Sequence, residues 1–254
     1  MSLYRDQGVA LRHYRLGEAD RIVVFMTAGH GKVRAVAKGI RKTKSRFGAR
    51  LEPPANVSVL FYEGRELDIV SQAETLDHWR PIRDDLARMT DAMSMLEAVD
   101  QTAQERQPDA RLYQMLVAAL RTLADRERRS PLLVAAFYWK LLAMEGYGPV
   151  LDRCASCEAP AAPATGGAPG AAGGVPLVAF DLSHGGALCR DCRQGLPVSP
   201  EALQLLTRIL GGGLARALQE PDSALTSEVA ALATRSMEQH LERRLRAIHA
   251  LERA

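Results

Sequence analysis

The chain has 254 residues, 47% hydrophobic and 25% charged, with a formal net charge of +3. That length suits two domains of ordinary globular composition. No apolar run approaches the roughly 20 residues that span a bilayer, and the N-terminus MSLYRDQGVALRHYR lacks an apolar signal core, so a cytoplasmic protein is expected.

Charge is unevenly divided. Residues 1–80 carry 14 Lys/Arg against 9 Asp/Glu, and the remainder 19 against 21. Anion binding is therefore expected in the N-terminal third.

The first 76 residues read as strands. Gly8 to His13 is a short β-prone run, and Arg21 to Thr27 is a dense apolar run ending in an Ala-Gly-His-Gly turn signal. Lys32 to Lys38 follows. Its period of two sends Lys32, Arg34, Val36 and Lys38 to one face and Val33, Ala35 and Ala37 to the other. A polar, Gly-punctuated loop runs from Gly39 to Arg50. Asn56 to Tyr62 and Leu67 to Gln72, joined at Glu63-Gly64, complete five candidate strands. Five short strands suit a small closed barrel such as an OB-fold; an SH3-like barrel gives nearly the same pattern.

Between Lys32 and Arg50 stand eight basic residues and no acidic one: Lys32, Arg34, Lys38, Arg41, Lys42, Lys44, Arg46 and Arg50. This local field is an electrostatic footprint for a polyanion, most often a nucleic acid. Phe47 and Tyr62 are weaker stacking candidates, each also readable as barrel core. Gly31-Lys32 faintly resembles a phosphate loop, but Val33 stands where Ser or Thr is needed and the spaced first glycine is missing. Glu18 and Asp20 could bind a metal in a nuclease, although partnering nearby basic side chains is the plainer role. No persuasive active site emerges, and the protein reads as a non-enzyme.

From Pro81 the period changes. Ile82, Leu86, Met89, Met93, Leu96 and Ala103 mark an amphipathic helix, and Leu112, Met115, Leu116, Ala119, Leu120 and Leu123 mark a second beyond Pro108. Ser130-Pro131 opens a third helix through about Glu145, stopped by Gly146-Tyr-Gly-Pro149. Ser199-Pro200-Glu201 opens another, ended by Gly211-Gly-Gly213, and a last helix is expected from about Thr226 to His249. Arg243, Arg244 and Arg246 could add a second DNA surface there, a solvated helix face being the simpler reading.

All four cysteines fall in two pairs, Cys154-Ala-Ser-Cys157 and Cys189-Arg-Asp-Cys192. Much of the gap between them is the low-complexity tract Ala159 to Pro176, which has almost nothing to bury and should be a flexible insertion. Two C-x-x-C turns can complete a tetrahedral shell of four thiolates around one structural zinc. A disulfide pair or a redox C-x-x-C competes; a cytoplasmic chain disfavours the first, and the second needs an adjacent βαβ unit. His184 is near enough to be a substitute ligand.

The stretch Gly17-Glu-Ala-Asp-Arg-Ile22, then Thr27-x-x-x-Gly31-Lys-Val-Arg-Ala-Val-Ala-Lys-Gly-Ile-Arg41, Ser45-Arg-Phe-Gly and Leu51-Glu-Pro, resembles the N-terminal signature of the bacterial RecO family of recombination proteins. The downstream order also fits: helices, Gly146-Tyr-Gly-Pro-x-Leu151, C-x-x-C, a short strand through Phe180, Gly185-Gly, C-x-x-C and C-terminal helices. The long Ala/Gly/Pro insertion departs from the family pattern. The resemblance implies an α+β multidomain fold: an N-terminal five-stranded OB-fold barrel over 1–80 and an all-α domain over 81–150 and 197–254, with a zinc hairpin inserted at 151–196. It further implies binding of single- and double-stranded DNA, annealing of complementary strands, and partnership with RecR and, in some bacteria, RecF. Contact with the acidic tail of the single-stranded DNA-binding protein, help in placing RecA on coated strands, and residence at the nucleoid are also implied. A zinc-ribbon, OB-type RNA-binding module without a recombination role is the alternative.

Overall fold

The computed structural model describes residues 2–43, 45, 47–125, 127, 129–162 and 174–247. Lys44, Arg46, most of the Ala/Gly/Pro tract and the chain from 248 onward lie outside the described residues. The chain divides into two compact units, 1–129 with 245–254, and 130–244.

In the first unit, five strands close into a barrel in the order β1-β2-β3-β5-β4. These are β1 (Leu3–Leu16), β2 (Asp20–Thr27), β3 (Gly31–Ala37), β4 (Ala55–Tyr62) and β5 (Asp68–Asp77). The first strand is far longer than its apolar stretch suggests. Its N-terminal half pairs with β4 and its C-terminal half with β2, and a bulge between Ala10 and Arg12 turns it from one neighbour to the other. Closure comes from a short parallel pairing of β3 with β5, Ala35 against Asp68 and Val36 against Ile69. This is the OB-fold, and it settles the choice between the two barrels.

The inward phase read for β3 is correct: Val33, Ala35 and Ala37 lie in the barrel core with Val23, Phe25, Val57, Val59, Phe61 and Val70. Phe47 is in that core too, 1% exposed, so it is no stacking platform.

Helical structure follows in the same unit as α1 (Arg80–Arg83), α2 (Leu86–Thr102) and α3 (Ala110–Leu123). The single helix expected from Pro81 is broken at Asp84-Asp85. The Asp85 carboxylate accepts from Arg88 N–H at 3.0 Å and starts a new helix. That restart leaves Leu86 at 72% exposure, off the buried stripe to which its spacing assigned it. Asp109 caps α3 in the same way, accepting from Leu112 N–H at 2.9 Å. Helices α2 and α3 pack on β1 and β2.

The second unit holds α4 (Leu133–Met144), a three-stranded sheet of β6 (Leu177–Asp181), β7 (Gly186–Cys189) and β8 (Leu196–Pro197) in the order β7-β6-β8, and then α5 (Pro200–Leu210), α6 (Leu214–Ala217) and α7 (Ala224–His240). Helix α7 stops short of the expected His249. Glu242 takes a left-handed φ of 52° and Arg243 N–H reaches back to the Glu238 carbonyl at 3.1 Å, a tight helix stop. Arg243, Arg244 and Arg246 therefore lie beyond the helix and form no helical face with it. Ser199 caps α5 as its position predicts, accepting from Ala202 N–H at 3.2 Å. No described helix is long and apolar enough to cross a membrane.

Candidate nucleic-acid interface and metal centre

The basic run from Lys32 to Arg50 is divided by the fold. Lys32 and Arg34 do share a face of β3, but the chain leaving α2 runs alongside it. Gln104 and Arg106 exchange backbone hydrogen bonds with Lys32, at 3.4 and 2.9 Å. The Lys32 ammonium donates to the Asp100 carbonyl at 2.7 Å and lies 4.0 Å from the Asp100 carboxylate, its side chain only 14% exposed. Burial pulls its pKa below the ordinary lysine value, opposed by Asp100 and Glu105. Arg34 faces Glu105 at 3.6 Å and stays partly exposed. The Asp100 carboxylate also takes Arg12 Nε at 2.6 Å.

Gly31 explains why this crossing is possible. Its φ is +67°, and a Cβ there would stand 1.9 Å from the Gln107 carbonyl oxygen. The Gly31-Lys32 pair thus serves a backbone crossing and a buried ion pair, not a phosphate loop. One further buried acid closes the area. Asp68, fully buried, accepts from Arg106 at 2.7 Å, from the Tyr4 hydroxyl and from Gly64 N–H at 2.9 Å. Sequence reasoning missed both Asp68 and Asp100, because a buried acid in a strand or helix carries no local signature.

The remaining described cations sit on the connection between β3 and β4. Lys38, Arg41, Lys42 and Arg50 are exposed. Ile40, Phe47 and Leu51 insert into the barrel core between them, so the segment is pinned at three points and lifts its charged residues outward. It is also tied to the β1–β2 turn: Arg41 N–H donates to the Ala19 carbonyl at 3.0 Å and its guanidinium to the Glu18 carbonyl at 2.8 Å. Asp20 accepts from Gly39 N–H at 2.7 Å. Asp20 is therefore a turn-holding acid, and neither it nor Glu18 joins a metal-binding group among the described residues. Tyr62 is 40% exposed at the end of β4.

The four cysteines converge. The Sγ atoms of Cys154, Cys157, Cys189 and Cys192 all lie within 4.8 Å of one another, and none is disulfide-bonded. Cys157 and Cys189 sulfurs are 3.8 Å apart. That matches the edge, about 3.8 Å, of a tetrahedron with metal–sulfur bonds near 2.3 Å. Each pair is a tight turn: Glu158 N–H donates to the Cys154 carbonyl at 2.9 Å, and Cys192 N–H to the Cys189 carbonyl at 3.2 Å. Gly186 lets the first turn approach β7, since a Cβ there would meet the Ala155 Cβ at 2.7 Å.

Electrostatics favours thiolate at the buried member. Burial raises the Cys154 pKa, but N–H groups of Cys157, Cys189 and Ser156 aimed at its sulfur outweigh burial and bring it down to about 6. At Cys192 a Ser156 hydrogen bond acts downward, and the neighbouring Cys157 and Cys189 sulfurs override it, pushing it up to about 12. Four sulfurs this close resist joint ionisation unless a cation sits among them. His184 is not a ligand; its Nδ1 lies 3.1 Å from Asp181 Oδ2.

Comparison with known proteins covers both units. The family model of the recombination protein O N-terminal region matches residues 1–79, and that of its C-terminal region matches residues 83–248. The DNA repair protein RecO of Frankia casuarinae is 43% identical over 258 residues, spanning the whole of both chains.

Proposed function

Because the chain belongs to the recombination protein O family, a family of DNA repair recombination mediators, we propose that it binds single- and double-stranded DNA, anneals complementary strands and, with RecR, helps load RecA onto strands coated by the single-stranded DNA-binding protein. RecF is a further partner, and the acidic tail of the single-stranded DNA-binding protein a docking ligand. The protein works in the cytoplasm at the nucleoid and performs no covalent chemistry.

One observation carries the DNA-binding part. Lys38, Arg41, Lys42 and Arg50 are lifted off one closed barrel by three apolar anchors, in a stretch without acidic residues. Lys44 and Arg46 belong to the same stretch and complete the phosphate-binding set; Arg34 contributes at its margin. Lys32, held by Asp100, is not part of that set. Phosphate contact is blind to sequence, so two strands are held close while their bases stay open to pair.

Cys154, Cys157, Cys189 and Cys192 hold one zinc. Four thiolates fill a tetrahedral shell, so the ion supplies folding energy and no reaction site.

The test is charge reversal. Arg41, Lys42, Lys44 and Arg46 changed together to Glu should weaken binding of a single-stranded oligonucleotide at least a hundredfold at moderate salt and abolish annealing. Unchanged affinity and annealing overturn the basic-loop reading, and preference for structured RNA over DNA overturns the recombination reading.

A further inference from the structure

A cavity of about 410 Å³ opens in the second unit where the end of α4, the β6–β7 turn and the end of α7 meet. Its chemistry is unlike that of the basic loop. Among the described residues no lysine or arginine lines it; its titratable groups there are His184, His240 and Glu242, with the Tyr147 phenol at the mouth. Two lining residues carry a buried polar atom with no hydrogen-bond partner among the described residues, Trp139 Nε1 on α4 and Ser236 Oγ on α7. Trp139 Nε1 can only donate, so its missing partner is an acceptor, and the serine hydroxyl can donate to the same kind of group. A buried donor left unpaired costs folding free energy, and such groups in native folds call for an explanation.

The rim is aromatic. Gly146, with φ of +88°, ends α4 and lets the chain fold back, Tyr147 N–H donating to the Leu142 carbonyl at 2.8 Å. This places the Tyr147 ring at the mouth, 62% exposed, with its centroid 4.4 Å from that of His240. Gly146-Tyr-Gly-Pro149 thus does more than stop a helix.

We propose that this cavity takes an unpaired nucleobase, stacked at the Tyr147–His240 rim with its ring carbonyls turned toward Trp139 and Ser236. A base supplies the flat face and the uncharged acceptors that the site lacks. A phosphate or carboxylate would find no fixed cation in the lining. Volume agrees, since the cavity exceeds a single base and leaves room for the attached sugar. The proposal rests on the DNA-binding reading above and adds a base contact to phosphate-directed binding.

The full-length protein is titrated with an oligothymidylate and with an abasic oligomer of equal length. Wild type should prefer the oligothymidylate about tenfold, the ordinary yield of one good stacking contact. Tyr147→Ala should erase that preference and Tyr147→Trp restore it, both leaving abasic affinity unchanged. Ser236→Ala, which removes the hydroxyl without adding bulk, should lower oligothymidylate affinity alone. Equal binding of the two oligomers by wild type, or a preference that survives Tyr147→Ala, overturns the pocket. Failure of the basic loop shows separately, as an abasic affinity indifferent to the four charge reversals.

Discussion

Lys32 and Lys42 lie ten residues apart in one basic run, yet the fold gives them opposite work. Lys32 is tucked against Asp100, an acid only 4% exposed that also binds Arg12, whereas Lys42 is exposed. Removing one partner of a buried charge pair leaves the other poorly compensated, while an exposed lysine costs almost nothing to neutralise. Lys32→Met should therefore lower stability by about 1–3 kcal/mol and change single-strand affinity less than twofold. Lys42→Met should reverse the pattern, weakening binding with the urea midpoint unmoved. Parallel urea titrations and DNA titrations of the two variants check this. The charges themselves were legible in the sequence. Their division was not, because Asp100 lies 68 positions from Lys32 and only a backbone crossing at Gly31 brings them together.

At the scale of elements, the cysteine turns and the strand between them form one device. Cys154 precedes the sheet, Cys189 ends β7, and β6 between them buries Phe180 against Trp139 of α4, ring centroids 5.8 Å apart. A metal at the four sulfurs would thus hold a sheet of five-, four- and two-residue strands to the helical core of its unit. Strands that short bury too little to be stable alone. Cys154→Ser should abolish zinc binding in elemental analysis and lower the thermal midpoint of the full chain by roughly 10 °C, the equivalent of several kcal/mol for a chain of this size. Full zinc occupancy in that variant, or an unchanged midpoint, would remove the metal from the folding account. The spacing of the pairs pointed to a metal site; convergence of all four sulfurs within 4.8 Å needed the turn geometry and the close approach at Gly186.

For the whole molecule, charge asymmetry sets behaviour in salt. The basic surplus lies in residues 1–80, while the remainder is slightly acidic. If about five phosphates are neutralised, log K for single strands should fall with log salt at a slope near −3.5, and a fourfold rise in salt should cost roughly a hundredfold in affinity. Equilibrium titrations across a salt series measure this slope, and a value near zero would exclude phosphate contact as the source of binding. Five strands, the inward phase of β3, the Ser199 start of α5 and the paired cysteines were all readable from the sequence, because each depends on local periodicity, a capping residue or fixed spacing; the start expected at Ser130 falls instead at Leu133, with no side-chain cap. Tertiary structure alone decided the rest. It decided that β1 bends at Ala10–Arg12 to serve two neighbours, that Asp85 splits the first helix, and that Phe47 anchors a loop instead of meeting a ligand. It also decided which described cations of the basic run are exposed and which are tucked against acids. Each of these turns on residues distant in sequence, and pairings across such distances are fixed only when the chain has closed on itself.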